Sequence, residues 1–475
     1  MSVTYIHKRK IISHKIPVIL IILASYTIPI LDGSIAITGL SRIRTDLGFS
    51  DTGLSWVQNA YTLSFGGLLL LGARAGDIFG LRRIFILGLA VFAGASVVVG
   101  LAQSPLVMLG ARATQGAGAA ILTPSTLALF SVNFPEGPER THALAYHGTV
   151  AGISTSLGLA LGGILADRLS WRVGFFINLP ISAIMIIAAF RYISETERQS
   201  RAFDVVGALG SACGMTALVY GIVHSAAAGW SDTHTLAATG TGSLLLVLFA
   251  FNERRARQPI MPLRLFSSRE RAGAYMARIL YLGGMAGFWF FVTVLLQRVF
   301  GYTPFAAGLA FLPMTVSGCL AALAIPGLTR RLGNARLLVA GIATSAIGMA
   351  WLGCLSVSSS YLFGIALPMI LFGVGQGCTL SPLTVSGIAG IPAKDAGAAS
   401  GLINVVHQLG GALGLGILVV VFASGSNASR ELFLDRAGAV LHAGTLMLLL
   451  ALAVTFALIF RAQRPHPGST GRQRL

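Results

Sequence analysis

Two ionisable residues of this sequence lie inside long apolar stretches, where charge is rare. Asp32 belongs to the run ILDGSIAIT, and Arg112 belongs to the run LGARATQGAGAAILTP. A carboxylate in an apolar environment takes up a proton readily, and an approaching arginine favours its release. The two residues are therefore candidates for reversible proton binding. The alternative is a structural role, in which Asp32 satisfies a helix end or belongs to a fixed ion pair.

A second candidate is the charged, glycine-rich segment GARAGDIFGLRR, which separates two apolar runs at residues 72–83. We expect Asp77, Arg82 and Arg83 to lie in a short turn whose tightness Gly80 permits. Charge-assisted hydrogen bonds and contacts with helix ends would let Asp77 and Arg82 hold the inner ends of neighbouring helices together. These four residues are predicted to form a conformational hinge.

Small and polar residues in other apolar runs give two further hypotheses. Gly158, Gly162 and Gly163 of SLGLALGG are spaced to allow close helix contact, although glycine is common in membrane helices. Polar residues of three runs are candidates for lining a substrate cavity: Gln58, Asn59, Tyr61, Gln115, Asn404, His407 and Gln408. His407 by itself is more often a hydrogen-bonded core residue than a proton carrier.

Two features of the second part of the chain leave alternatives open. Arg278 lies near one end of an apolar run, where a long cationic side chain can reach the membrane surface. The aromatic cluster Phe288–Phe291 can stack on a flat apolar substrate or pack in the core.

The composition shows what kind of chain must position these residues. Of 475 residues, 55% are hydrophobic and only 11% are charged, which excludes an ordinary soluble protein. The formal net charge of +18 does not indicate nucleic-acid binding, because the basic residues lie in short loops between apolar runs. The four cysteines fall inside apolar runs, and their spacing suggests neither a metal site nor a disulfide.

At about 20 apolar residues per crossing, the sequence predicts fourteen membrane-spanning helices. They cover approximately 16–38, 54–74, 84–102, 105–131, 143–166, 173–193, 204–226, 234–252, 272–297, 305–328, 336–355, 361–385, 396–423 and 438–460. With both termini in the cytoplasm, cytoplasmic segments hold 25 Lys and Arg residues and external segments hold 7. This bias predicts that orientation.

An internal repeat predicts how the helices are grouped. The segment around Gly80 recurs around Gly333, and SLGLALGGIL at 156–165 recurs as QLGGALGLGI at 408–417. Two matches at nearly one offset indicate two related halves. We therefore predict a six-helix half at 1–200, an inserted helix pair with a cytoplasmic bridge at 201–271, and a second six-helix half at 272–475.

These residues resemble the major facilitator superfamily, and specifically its fourteen-span drug:proton antiporter branch. GARAGDIFGLRR is similar to the family's cytoplasmic signature, and Arg112, Gln115, Gly116 and Gly118 match its fourth-span signature. LDGSIAIT, WRVGFFINLP and AASGLINVVHQLGGALG resemble motifs of the branch. Leu159 follows Gly158 where the antiporter signature has proline.

The resemblance implies an all-α integral membrane carrier that exports small amphipathic or apolar organic compounds in exchange for protons. It implies a bacterial cytoplasmic membrane, lipid as surroundings, and drug or antibiotic resistance as the outcome. We expect a monomer, no nucleic-acid partner, no metal, no cofactor and no enzymatic activity, because no phosphate-binding loop or catalytic constellation is found in the sequence. A proton-linked or facilitative uptake carrier and a non-transporting membrane receptor are the alternatives.

Overall fold

The structure is a computed structural model, and the part of the chain that it describes consists of helices and short connections. That part covers residues 2–50, 52–133, 150, 154, 157–196, 205–255, 263–391, 396–423 and 430–461. Within these ranges there is no β-strand, and short turns join one helix to the next. An all-helical chain is what the long apolar runs predict, because backbone groups inside lipid must be satisfied within their own segment.

Long helices follow the predicted spans closely. They are α1 (Ser2–Leu47), α2 (Trp56–Phe79), α3 (Leu81–Leu101), α4 (Pro105–Asn133), α5 (157–168), α6 (Trp171–Tyr192), α7 (Val205–Ala228), α8 (Thr233–Arg255), α9 (Arg269–Arg298), α10 (Pro304–Leu332), α11 (Asn334–Gly353), α12 (Tyr361–Gly387), α13 (Ala396–Ala423) and α14 (Arg430–Val454, continued by a π-helical segment Thr455–Phe460). Single turns of 3₁₀ helix occupy Gly53–Ser55 and Leu263–Ser267.

Helix ends differ from the predicted spans mainly in α1 and α14. The predicted end of the first span at 38 was wrong for the helix, because α1 continues to Leu47 through the polar sequence SRIRTDL. The last helix begins at Arg430 and not at 438. Hydropathy marks only the apolar stretch, whereas a helix can continue into water where its residues favour helical structure.

Eleven helices of the described residues are long and apolar enough to cross a membrane, namely α1, α3 and α6 to α14. The all-helical membrane fold is therefore confirmed. Helices α2 and α4 have 24 and 29 residues but are not among the eleven. In the fifth predicted span, the structure describes a continuous helix only at residues 157–168. The count of fourteen spans stays a prediction.

Helices that are near in sequence pack together in two groups. Helix α4 lies against α1, α2 and α3, while α9 lies against α12, α13 and α14. Helices α7 and α8 pack on each other, and α7 also contacts α2 and α13. The groups meet where α1 contacts α9 and where α2 contacts α13. The division at residues 200 and 271 stays a prediction.

Glycines on α4 bring its neighbours unusually close. A Cβ atom on Gly116 would lie 2.3 Å from the carbonyl oxygen of Tyr61 on α2, and one on Gly118 would lie 2.7 Å from the backbone nitrogen of Phe92 on α3. Only glycine allows backbones to approach in this way. Residues on α4 beside these glycines are therefore held against α2 and α3.

The charged segment between α2 and α3 is shorter than predicted. Helix α2 continues to Phe79 and α3 begins at Leu81, so Gly80 alone connects them, with φ 99° and ψ 134°. Asp77 is helical and does not lie in the turn, and Arg82 and Arg83 belong to the first turn of α3. Gly333 connects α10 to α11 with nearly the same backbone angles, φ 80° and ψ 158°. The sequence match between Gly80 and Gly333 thus corresponds to one repeated turn.

Candidate functional site

Asp32 and Arg112 form a buried ion pair between α1 and α4. Arg112 Nη1 donates to Asp32 Oδ2 at 2.6 Å, and neither side chain has any exposed surface. The structure thus brings the two candidate residues into direct contact, and their role in proton binding stays a prediction. A pair so far from water is stable only if its remaining polar atoms also find partners.

Two amide side chains supply partners for this pair, and both of them also donate to Ser96. Gln115 Nε2 donates to Asp32 Oδ1 at 2.7 Å and to the Ser96 hydroxyl oxygen at 2.8 Å. Asn178 Nδ2 also donates to Asp32 Oδ1 at 2.7 Å. Arg112 Nη1 donates in addition to Gln115 Oε1 at 2.7 Å. The carboxylate thus accepts three hydrogen bonds, an arrangement that suits its ionised form.

Helix α2 holds the other side of the arginine. Arg112 Nε donates to the carbonyl oxygen of Val57 at 2.9 Å. The guanidinium carbon lies 4.5 Å from the centre of the Tyr61 ring, and the Phe175 ring centre is 5.9 Å away. Cation–π contacts of this kind strengthen when water is excluded. Nη2 has no hydrogen-bond partner among the described residues, so both of its N–H groups are unused.

Sequence reasoning found part of this cluster. Tyr61 and Gln115 were predicted to line a substrate cavity, and the structure places them in the ion-pair cluster. Ser96 and Asn178 were missed. Asn178 lies in the motif WRVGFFINLP, and its amide directly after an apolar run is the one feature of the sequence that could have indicated a buried polar role. Ser96 gave none, because single serines are common in membrane helices.

A cavity lies between the two groups of helices. It has an empty volume of about 640 Å³, which includes space open to solvent. Among the predicted cavity residues, those lining it are Gln58, Asn59, His407 and Gln408. Asn59 is fully buried, and neither its amide nitrogen nor its amide oxygen has a partner in the described residues. An unsatisfied amide on a cavity wall is available to a bound molecule.

The aromatic cluster of α9 divides between cavity and core. Trp289 and Phe290 line the cavity. Phe288 is buried and stacks on Phe372 of α12 at 4.2 Å between ring centres. Phe291 is also buried. Phe288 and Phe291 therefore pack in the core, whereas stacking of Trp289 and Phe290 on a substrate stays a prediction.

Arg278 points into the protein and does not reach the membrane surface. It is 7% exposed, and its guanidinium donates to Thr384 Oγ1 at 3.1 Å and to His407 Nδ1 at 3.5 Å. His407 is thus joined to a buried cation, which its sequence context did not indicate. Asn404 lies one turn from His407 on α13 and is not among the residues that line the cavity.

The turn at Gly80 is held by Glu195, just beyond the end of α6. Glu195 Oε1 accepts from the backbone nitrogen of Arg82 at 3.1 Å, and Oε2 lies 3.8 Å from Arg82 Nε and 3.5 Å from Arg83 Nε. A carboxylate at a helix N-terminus is favourable for its amides and its dipole. Sequence reasoning missed Glu195. The side chain of Asp77 lies outside the described residues, so its predicted role stays a prediction.

The glycine-rich segment of α5 contacts two helices. A Cβ atom on Gly158 would lie 2.7 Å from Ser34 Cβ, and one on Gly162 would lie 2.7 Å from Ile35 Cα, both on α1. Gly163 faces α10, where the Cα of Phe305 would be 2.6 Å away. The three glycines do not share one face, and Gly163 permits a close contact between α5 and α10.

Several known export and resistance proteins are similar to this chain in sequence over most of its length. The chain is 36% identical to the cephamycin export protein CmcT of Amycolatopsis lactamdurans, over 92% of this chain and 91% of that protein. It is 37% identical to the puromycin resistance protein pur8 of Streptomyces alboniger, over 86% of this chain and 82% of that protein. The multidrug resistance protein Stp of Mycobacterium tuberculosis is 32% identical, over 86% and 76%.

Solved transporter structures have the same fold at much lower identity. The nucleoside transporter NupG matches with a TM-score of 0.64 at 15% identity, covering 93% of this chain and 99% of that chain. A peptide transporter POT in complex with sulfate gives 0.67 at 13% identity, over 93% and 94%. The sequence profile of the Major Facilitator Superfamily matches residues 22–415, which is most of the chain. This match and the similar export and resistance proteins place the chain in the Major Facilitator Superfamily.

Proposed function

We propose that this protein exports small amphipathic organic compounds in exchange for protons, by alternating access. The observation that carries the proposal is the fully buried Asp32–Arg112 pair beside a cavity between two helix groups. The similar proteins are named for export of or resistance to antibiotics, which supports export as the direction.

Helix α2 offers a physical link between proton and substrate. Arg112 donates to the carbonyl oxygen of Val57, and the next two residues, Gln58 and Asn59, line the cavity. Protonation of Asp32 would remove the negative charge that holds Arg112 in place. The arginine would then be free to shift its contacts with α2, and the two cavity residues would move with that helix. Proton binding and substrate binding would thereby favour different access states.

Alternating access requires contacts between the helix groups that can break. Gln297 Nε2 on α9 donates to the carbonyl oxygen of Thr38 on α1 at 3.0 Å, near the ends predicted to be external. At the opposite ends, the turn at Gly80 and its partner Glu195 join α3 to the end of α6, a contact within the first half of the chain and not between the groups. We propose that Asp77, Arg82 and Arg83 act there as a hinge that stabilises one access state.

The remaining features of the proposal follow from the charge distribution and the family. We propose fourteen spans in a bacterial cytoplasmic membrane, with both termini in the cytoplasm, because 25 basic residues then lie inside and 7 outside. The proton gradient would supply the energy without a cofactor, and the working unit would be a monomer.

Transport in proteoliposomes tests the coupling. With radiolabelled puromycin as the probe, an imposed proton gradient should drive accumulation by the wild-type protein. Asp32→Asn should abolish accumulation, since it fixes the uncharged form at nearly constant volume, while exchange down the puromycin gradient survives. Asp46→Asn is the matched control, because Asp46 lies on the same helix and its contact with Trp171 Nε1 needs only an acceptor oxygen.

Each alternative function predicts a different result in the same vesicles. Movement of puromycin together with protons would indicate an uptake carrier, and binding without flux would indicate a receptor. Accumulation by Asp32→Asn at the wild-type rate would contradict proton binding at Asp32.

A further inference from the structure

Arg278 is a buried cation that has no anionic partner among the described residues. Its side chain donates to a hydroxyl oxygen and to an imidazole nitrogen, both neutral acceptors. Nε has no acceptor, and no carboxylate in the described part of the chain forms an ion pair with the guanidinium. Arg112, by comparison, has Asp32 at 2.6 Å.

Such a cation is costly for the protein alone. Charges at membrane depth are retained where they face a cavity or serve function, and they are usually paired. A hydroxyl and an imidazole satisfy hydrogen bonds but do not neutralise charge. An anion that enters from the cavity would supply what the protein lacks.

His407 connects this cation to the cavity. It lines the cavity, and Arg278 Nη2 points to its Nδ1. A guanidinium can only donate, so Nδ1 accepts and the proton of the neutral ring lies on Nε2. The ring thus presents an N–H donor with a positive charge behind it. Trp289 and the unsatisfied amide of Asn59 belong to the same cavity.

We propose that Arg278 and His407 form a carboxylate-binding subsite, through which organic acids with an apolar body are one class of the transported compounds. His407 Nε2 donates to the carboxylate, and Arg278 supplies the compensating charge and fixes the orientation of the ring. The apolar body contacts Trp289 and Phe290. This inference rests on the proposed export function, because it assigns a substrate class to the same cavity.

Equilibrium binding to two probes of equal shape tests the subsite. The probes are radiolabelled 4-biphenylacetate and 4-biphenylacetamide, which differ in charge but hardly in size. The wild-type protein, in nanodiscs of phosphatidylcholine, should bind the acid at least about tenfold more tightly than the amide, the value of one charge-assisted hydrogen bond. This comparison requires no variant that folds poorly.

Variants then test whether Arg278 and His407 cause the preference for the acid over the amide. Arg278→Gln and His407→Gln should reduce the preference for the acid to less than about twofold, while leaving amide affinity nearly unchanged. Arg278→Lys should retain part of the preference for the acid, because lysine keeps the positive charge. Arg298→Gln is the matched control, since it removes one positive charge from the far end of the same helix, and it should keep the wild-type preference.

Several results would overturn the proposal. These are equal affinity for acid and amide, no binding of either probe by the folded wild-type protein, or an unchanged preference in Arg278→Gln. Loss of the preference when phosphatidylglycerol is added would show that the cation serves a lipid headgroup instead. Binding is measured without a proton gradient, so a failure of proton-driven export would leave the acid preference intact and the two proposals distinguishable.

Discussion

The two helix groups each contain a buried arginine, and the two arginines have opposite surroundings. Arg112 of the first group has a carboxylate, an amide, a carbonyl and an aromatic ring around it. Arg278 of the second group has a hydroxyl and an imidazole. In the first site, the charges of Arg112 and Asp32 balance each other without a ligand, which suits a site whose charge changes when it binds a proton. The second lacks an anion, which suits a site that changes by binding one.

The difference between the groups extends to the surroundings of α9. In the first group, α1 joins α4 through the polar cluster around Asp32, in addition to apolar contacts. In the second group, α9 places Phe288 against Phe311 and Phe372, with ring centres 6.0 and 4.2 Å away. The two groups thus differ in chemistry, with a polar cluster in the first and stacked aromatic rings in the second, although both are bundles of long helices.

The largest expected effect is the loss of Arg112. Arg112→Gln leaves Asp32 buried without a counter-charge and should lower the free energy of unfolding by about 3–5 kcal/mol at neutral pH. Unfolding in mixed micelles, followed by tryptophan fluorescence, measures this loss. The double variant Asp32→Asn/Arg112→Gln should recover more than half of it, because no unpaired charge remains. Strictly additive losses would show that the pair is not a unit.

A smaller effect separates the two repeated turns. Gly333→Ala should cost roughly 1–3 kcal/mol of unfolding free energy, because its backbone angles favour glycine and no neighbouring atom lies within 4 Å of the added Cβ. Gly80→Ala should cost about 1 kcal/mol more. There the added Cβ would lie 2.6 Å from Glu195 Oε1, and moving that carboxylate breaks its bond to the Arg82 amide.

The control for this second comparison removes the carboxylate. In a Glu195→Ala background, Gly80→Ala and Gly333→Ala should cost the same within error. If Gly80→Ala still costs more unfolding free energy than Gly333→Ala in that background, the extra cost arises from the turn itself and not from Glu195.

The smallest effect is expected at Arg278. Arg278→Gln should change the unfolding free energy by less than about 1 kcal/mol, or increase it, because the lost hydrogen bonds are offset by removal of an unpaired buried charge. The same micelle assay compares it directly with Arg112→Gln. A loss as large as that of Arg112→Gln would mean that Arg278 is electrically balanced within the protein, and the contrast between the two sites would fail.

The sequence alone determined the features that depend on local or periodic information. Apolar runs of sufficient length predicted the helices, since a chain in lipid must satisfy its backbone within each segment. The repeat predicted that Gly80 and Gly333 form equivalent turns, because both positions require the same glycine conformation. Rarity of charge in apolar runs singled out Asp32 and Arg112.

Only the tertiary structure decided which side chains meet. Asn178 reaches Asp32 across a separation of 146 residues, and Glu195 reaches Arg82 across 113. Helical periodicity shows which residues share a face, but it does not show which neighbouring helix covers that face. For the same reason, the sequence left open whether Arg278 extends to the membrane surface. Its burial is decided by α12 and α13, which contribute Thr384 and His407, and their arrangement around α9 depends on packing between segments distant in the chain.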